Sequence, residues 1–416
     1  MNKKRIVIVG GGITGLVAAH FLQDDCEVIL LEKGEIGGMC RSKPYNGVDV
    51  DIYGGHIFNT KDREVMDFVF KILPPNKWFS HIRNASIYIE DKIIGFPFEH
   101  YMFELGNDFM ETCLNEIGKA EPDTSNLYKY LLTRFGPTAF EKYFGPYNEK
   151  IWQTPLEEIG TNWINAGKVP CSDISKLRTI NQAGGDNDHG MIHSNFYYPK
   201  SGGIQSLING IKETLDKTMI LDKGEEVKSI EKILGRLNVV GEDFYIRSDY
   251  VIYTGPLVGA AGEIKEWCGI PRPKLPQVYH GTDCIVAQCD FFLDNPNISW
   301  MYVPEKQYPF HRIANIAKFQ ELKSDIVLVE CPGKTYYNQS LSIDKYPIKI
   351  LDVFRHTRTY PIEPVRLHYL QRFQEEMKRH NVFCCGRWGR HQYMNMDLCI
   401  RDGMNIAKEV KQNNDK

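Results

Sequence analysis

The chain of 416 residues has no long hydrophobic run, no C-x-x-C pair, no metal-ligand cluster and almost no net charge. Each absence removes a class of function. A membrane-spanning helix needs about 18 or more consecutive apolar residues, so none is expected. The opening Met1-Asn2-Lys3-Lys4-Arg5 and the apolar run after it imitate a signal peptide, but Gly10, Gly11, Gly12 and Gly15 interrupt that run. It reads as a strand in a cytoplasmic protein with no membrane partner. The net charge of -3 provides no global basic field to hold a polyanion, which argues against nucleic acid. The eleven cysteines are scattered, and Cys384-Cys385 sits in an apolar run, so they read as reduced packing residues and no metal is expected. No Ser/His/Asp set, internal repeat or low-complexity tract stands out.

What is present is a large core and a clear opening motif. A hydrophobic fraction of 42% over this length supports two or three domains. Arg5-Ile6-Val7-Ile8-Val9 is a short apolar run, Ile13 to Leu22 has helical periodicity, and Glu27 to Glu32 opens a second apolar run. Between strand and helix, Gly10-Gly11-Gly12-Ile13-Thr14-Gly15 fits G-x-G-x-x-G, and Glu32 ends the next strand. This is the dinucleotide fingerprint. Gly10 permits the turn, Gly12 a close backbone approach to pyrophosphate and Gly15 close packing, while Glu32 accepts from a ribose diol. The motif alone does not separate FAD from NAD.

From Asp108 to Ile159 the pattern is helical. Strand-like runs return at Met219–Leu221, Val239–Val240, Phe244–Ile246, Tyr250–Tyr253, Cys284–Cys289 and Ile326–Glu330. Val382 to Val410 reads as strand, glycine loop and amphipathic helix, able to return the C-terminus to the first domain. The expected fold is α/β: a discontinuous Rossmann-type cofactor domain (1–80, 195–255 and 380–416), a mostly helical substrate domain (95–190) and a mixed sheet region that binds substrate (256–379).

Glu32-Lys33-Gly34-Glu35-Ile36-Gly37-Gly38-Met39-Cys40-Arg41-Ser42 resembles the second glycine-pair motif of FAD-dependent amine-oxidase-like proteins. There Gly37-Gly38 would approach the cofactor, and Arg41 and Ser42 would supply donors to it. Asp51-Ile52-Tyr53-Gly54-Gly55-His56-Ile57-Phe58 narrows the resemblance to UDP-galactopyranose mutases and related sugar-nucleotide mutases. Gly145-Pro146-Tyr147-Asn148-Glu149-Lys150-Ile151-Trp152, Trp300 to Arg312, Tyr360-Pro361 and Gly386 to Tyr393 extend it over nearly the whole chain.

This resemblance implies an isomerase that interconverts pyranose and furanose forms of a nucleoside-diphosphate sugar, with reduced FAD as nucleophile through N5 and no net redox. It implies cofactor contacts from Thr14, Lys33, Gly38, His56, Gly386, Arg387, Tyr393, Met394 and Asn395 besides the residues of the fingerprint. His56 would lie against the flavin. Tyr302, Arg312, Tyr360 and Tyr393 would hold the diphosphate, Arg312 by charge-assisted bonds and the phenols without added charge. Asn148 and Trp152 would face ribose and sugar, Lys168 would stand where the family has an arginine, and Phe58 and Phe96 would line the substrate site. Phe96-Pro97-Phe98-Glu99 departs from the family's Tyr-Pro-Phe-Gln. An ionised Glu99 only accepts hydrogen bonds, which suits guanine better than uracil and leaves UDP, GDP and dTDP open. The alternative is an FAD-dependent oxidase or desaturase, which would need an apolar substrate tunnel. NAD(P)H is one candidate reductant, and the oligomeric state stays open.

Overall fold

The computed structural model describes residues 3–164, 173–185, 195–222, 224, 226–257, 266–269, 279–333, 341–365 and 368–414. Its first layer is a five-stranded parallel sheet, in spatial order Val382–Cys384, Tyr250–Tyr253, Arg5–Val9, Glu27–Leu31 and Thr218–Leu221. Arg5–Val9 is the central strand, and Ile6, Val7 and Ile8 have no exposed surface. A parallel strand covered on both faces must be apolar throughout, which is why this run does not alternate.

Helix Ile13–Leu22 packs along the C-terminal helix Met396–Asn414. A Cβ at Gly403 would lie 2.8 Å from the Thr14 carbonyl oxygen, so the glycine permits the close approach of the two helices. This contact returns the chain's end to the first sheet, as the sequence suggested. No described helix is long and apolar enough to cross a membrane. The described cysteines are all buried except the half-buried Cys268.

The second layer is an eight-stranded sheet, in order Leu341–Ile343, Tyr346–Pro361, Tyr279–Gln288, Ile326–Pro332, Arg312–Ala314, Trp300–Tyr302, Ala85–Ile89 and Lys92–Gly95. Its neighbours are antiparallel except Trp300–Tyr302 and Ala85–Ile89. The register sets Tyr302 opposite Arg312, and Arg312 opposite Glu330. Residues directly opposite across adjacent strands share a face, so these three side chains form one row. All described elements between Asn107 and Glu158 are helical, in agreement with the periodicity there. Gly145–Trp152 brings Tyr147 against the row, with its ring centroid 5.7 Å from that of Tyr302.

Candidate active site

A cavity of about 410 Å³ runs from the first glycine loop past Gly37–Cys40 to His56, Arg387 and Met394, within the usual size range of small-molecule sites. Gly10 has φ +108°, where a Cβ would come 2.2 Å from Thr254 Oγ1. At Gly15 a Cβ would lie 2.1 Å from the Gly10 carbonyl oxygen. Gly12 differs: it lines the cavity, and its Cβ would meet no protein atom within 4 Å. It also sits at the N-cap of helix Ile13–Leu22 with no side-chain cap, leaving that terminus free for an anion. Glu32 closes the far end, accepting from the backbone N–H of Gly11 at 2.7 Å and of Gly34 at 2.8 Å. Thr14, Lys33, Gly38 and Gly386 line the same wall, and Lys33 stands 3.7 Å from Glu226. The shape and the free helix terminus fit an extended dinucleotide.

The second glycine pair has a structural task as well. Gly37 N–H donates to the Gly11 carbonyl, and a Cβ at Gly38 would lie 3.2 Å from Gly12 Cα, so the pair seats directly on the first loop. Arg41 and Ser42 also bond within the protein. The Arg41 guanidinium donates to Glu35 at 2.8 Å, to the Gly38 carbonyl at 3.1 Å and to the Tyr53 hydroxyl, and Ser42 donates to Asp51 at 2.7 Å. Their donors close the turn, and neither residue lines the cavity.

Asp51, fully buried, organises the next loop. It accepts from Ser42 and from the backbone N–H groups of His56 and Ile204, and burial, outweighing these bonds, pushes its carboxyl up to about 6. The loop presents His56 to the cavity. Burial, with the charges of Arg387 and Arg312, lowers the imidazole to about 3, so it is neutral, and its buried Nδ1 has no hydrogen-bond partner among the described residues. Phe58, expected at the substrate, is fully buried instead and packs against Trp78 at 5.8 Å and Phe70 at 6.2 Å. Its backbone pairs with Tyr197, which turns the side chain into the core.

The cross-strand row lies near His56. Arg312 donates to Glu330 through Nε at 2.8 Å and Nη2 at 2.7 Å. Burial works against its charge, but Glu330 prevails and holds the guanidinium well above its ordinary value. Tyr360 meets Tyr393 at 5.2 Å and stacks on His280 at 5.0 Å, and Trp152 lies about equally far from Tyr360 and Tyr393, at 6.0 and 6.4 Å. Trp152 Nε1 donates to Asn148 Oδ1 at 3.2 Å. The structure therefore brings Tyr302, Arg312, Tyr360, Tyr393, Asn148 and Trp152 into one aromatic, polar cluster. Tyr393 also bridges to the cofactor side, because the Arg387 guanidinium lies 5.3 Å from its ring. Arg387 itself donates to the Met394 carbonyl at 2.8 Å, and the Asn395 carbonyl starts the final helix by accepting from Cys399.

At the other end of the row, Phe96 packs on Tyr302 at 5.0 Å, and Glu99 is buried on the turn Phe98–His100. Lys168 lies outside the described residues. Sequence reading missed Glu330, whose position depends on strand register, and Arg83, which donates to the Tyr302 hydroxyl and lies 5.1 Å from the Phe96 ring. It also missed Arg355, His356 and Arg358, which line the cavity from the 16-residue strand Tyr346–Pro361. Among the described residues no group of three potential metal ligands occurs.

A family model, the NAD(P)-binding Rossmann-like domain, matches residues 8–72. A dTDP-fucopyranose mutase of Escherichia coli is 23% identical over 100% of both chains. The chain resembles the sugar-nucleotide mutases. A UDP-galactopyranose mutase of Mycoplasma pneumoniae is 29% identical over 186 residues, 42% of this chain and 47% of that relative, so the match spans about half of its length. The solved structure of a reduced UDP-galactopyranose mutase superposes with a TM-score of 0.81, 20% identity, and coverage of 99% of this chain and 94% of that one, which establishes the common fold.

Proposed function

We propose that the chain binds FAD along the Gly10–Met394 cavity and, with the flavin reduced, interconverts pyranose and furanose forms of a nucleoside-diphosphate sugar. The observation that carries this reading is the row Tyr302–Arg312–Glu330, which meets Tyr360 and Tyr393 beside the His56 rim of the cavity. It sets a cluster suited to phosphate against one suited to a dinucleotide. Residues 1–80, 195–255 and 380–416 would carry the cofactor, with substrate contacts from 95–190 and 256–379.

Reduced FAD would supply the nucleophile for the anomeric carbon. The chain's own side chains bind and orient. Arg312 and the phenols stabilise charge on the diphosphate as it leaves and hold it close for return. Neutral His56 offers the cofactor a hydrogen-bonding nitrogen without a competing charge. Asn148 and Trp152 would take the ribose and sugar side together with Lys168, and NAD(P)H is a candidate reductant. A hydride-removing oxidase calls for an apolar tunnel, whereas this cluster contains an ionised pair and several phenols.

Anaerobic titration of the oxidised, FAD-loaded protein with UDP-galactose and dTDP-fucose checks this choice. The flavin spectrum should shift on binding but stay oxidised; bleaching by either sugar nucleotide would favour the oxidase reading.

Glu99 should set base preference. Its backbone carbonyl accepts from Asn181 at 2.9 Å, which fixes the turn next to Phe96. Glu99→Gln restores a donor and is expected to move relative affinity toward UDP over GDP by about tenfold, the size of one discriminating hydrogen bond. Competition binding of UDP against GDP reads this out, and an unchanged ratio would remove Glu99 from the base site.

A further inference from the structure

Strands Trp78–Ile82 and Ala85–Ile89 are joined by Arg83 and Asn84 alone, and Asn84 pins that connection. Its carbonyl accepts from the Ser299 backbone N–H at 2.6 Å, and its side-chain amide donates to the Asn297 carbonyl at 3.0 Å. Ala85–Ile89 then runs parallel to Trp300–Tyr302, with Ala85 opposite Trp300 and Ile87 opposite Tyr302. Trp300 and Tyr302, two residues apart on one strand, share a face. The Arg83 guanidinium lies against that face, 5.3 Å from the Trp300 ring, 6.0 Å from the Tyr302 ring and 5.1 Å from the Phe96 ring. Its Nη2 donates to the Tyr302 hydroxyl. Among the described residues Arg83 forms no ion pair, and its buried Nε has no hydrogen-bond partner.

Arg312, by contrast, is matched by Glu330, so that pair brings almost no net charge to an anionic substrate. A guanidinium keeps its charge at any ordinary pH, and no described carboxylate pairs with that of Arg83. The hydrogen bond to Tyr302 also has only one possible direction. Arginine donates and never accepts, whereas a phenol has one proton to give and lone pairs that accept. The Tyr302 oxygen therefore accepts from Arg83, and its own proton is left for another partner; among the described residues none takes it. Phe96 at 5.0 Å and the edge-on Tyr147 at 5.7 Å hold the ring from two sides.

We propose that Arg83 is a positioning residue for the diphosphate: it makes the Tyr302 hydroxyl a fixed donor toward the phosphates and brings the positive charge that the Arg312–Glu330 pair lacks. The inference rests on the diphosphate reading of Tyr302 and Arg312. Linked hydrogen bonds polarise one another, so a charged donor behind the phenol strengthens the bond that the phenol makes in front. An anion gains from this arrangement and a neutral nucleoside does not.

The test is calorimetric titration of FAD-loaded protein with UDP, dTDP and GDP, and with the corresponding nucleosides, for the wild type, Arg83→Met, Tyr302→Phe and the double variant. Arg83→Met should weaken diphosphate binding by about 30-fold, the size of a charge-assisted hydrogen bond, and nucleoside binding by less than about twofold. In the Tyr302→Phe background the same substitution should cost less than about fivefold, because the hydroxyl it acts through is gone. Arg83→Lys keeps a charge without the fork; it should cost about fivefold for the diphosphates and nothing for the nucleosides, which keeps the test open if the Met variant does not fold. Unchanged diphosphate binding, an equal loss for nucleosides and diphosphates, or a full loss that persists in Tyr302→Phe overturns the assignment and leaves the proposed function intact. Failure of all three diphosphates to bind the wild type overturns the diphosphate reading and this inference with it.

Discussion

Arg312→Ala is expected to weaken sugar-nucleotide binding by about 100-fold while leaving bound cofactor in place. Truncating one member of a buried, hydrogen-bonded charge pair costs about 2–5 kcal/mol, and a factor of 100 corresponds to about 2.7 kcal/mol. Much of that loss comes from the partner left behind. Glu330 has a side chain only 2% exposed, and without Arg312 it would turn an unmatched carboxylate toward the phosphates. Adding Glu330→Gln to Arg312→Ala should therefore recover about tenfold in affinity, whereas two independent contacts would give a further loss. Calorimetry on the wild type, the single variant and the double variant decides this. Unchanged binding in Arg312→Ala would remove the residue from the clamp, and no recovery in the double variant would remove Glu330 as its charge partner.

Gly12→Val should produce a folded protein without flavin. The backbone at Gly12 has φ -73° and ψ 176°, which any residue adopts, and a Cβ there meets no protein atom. The branched side chain would instead occupy the mouth of the helix N-terminus, where a pyrophosphate must come close to backbone N–H groups. Cofactor affinity should fall by more than about 100-fold, the loss of two or more charge-assisted hydrogen bonds. Gly15→Ala is the contrasting case, because its Cβ would strike the Gly10 carbonyl oxygen at 2.1 Å. It should lower thermal stability as well as flavin content. Visible absorbance of the purified variants, beside their melting temperatures, separates the two outcomes. A Gly12→Val protein with a full complement of flavin would show that the cofactor lies elsewhere.

Local signals account for what was legible in the sequence. The fingerprint, the strand before it and the helix after it are contiguous, so one window holds the whole turn. The C-terminal return was also readable, since Val382–Cys384, the Gly386 loop and the final helix follow one another in the chain. The residues proposed to hold the diphosphate came through resemblance, and the structure brings Tyr302, Arg312, Tyr360 and Tyr393 together.

What escaped depends on register and tertiary contact. Glu330 lies in an apolar strand, Ile326–Pro332, where it looks like an isolated charge until Arg312 is set opposite to it. Lys150 stands in the Gly145–Trp152 motif, and only the fold shows its Nζ donating to the carbonyls of Val303, Glu305 and Phe310. Phe58 and Arg41 have partners that no local motif shows. Both stand in glycine-rich segments that resemble ligand loops, but pairing with Tyr197 draws Phe58 into the core and Glu35 with Tyr53 occupies Arg41. A motif places a loop near a ligand without deciding which of its side chains turn inward.

The central claim is isomerisation by the reduced, FAD-loaded protein, and the most direct measurement is product analysis after dithionite reduction with UDP-galactopyranose, dTDP-fucopyranose and a GDP-hexopyranose. Chromatography with NMR of the anomeric region should show a new furanose nucleotide from one of them, formed only when the flavin is reduced. Sugar nucleotides that bind but remain pyranoses in both redox states would contradict the account.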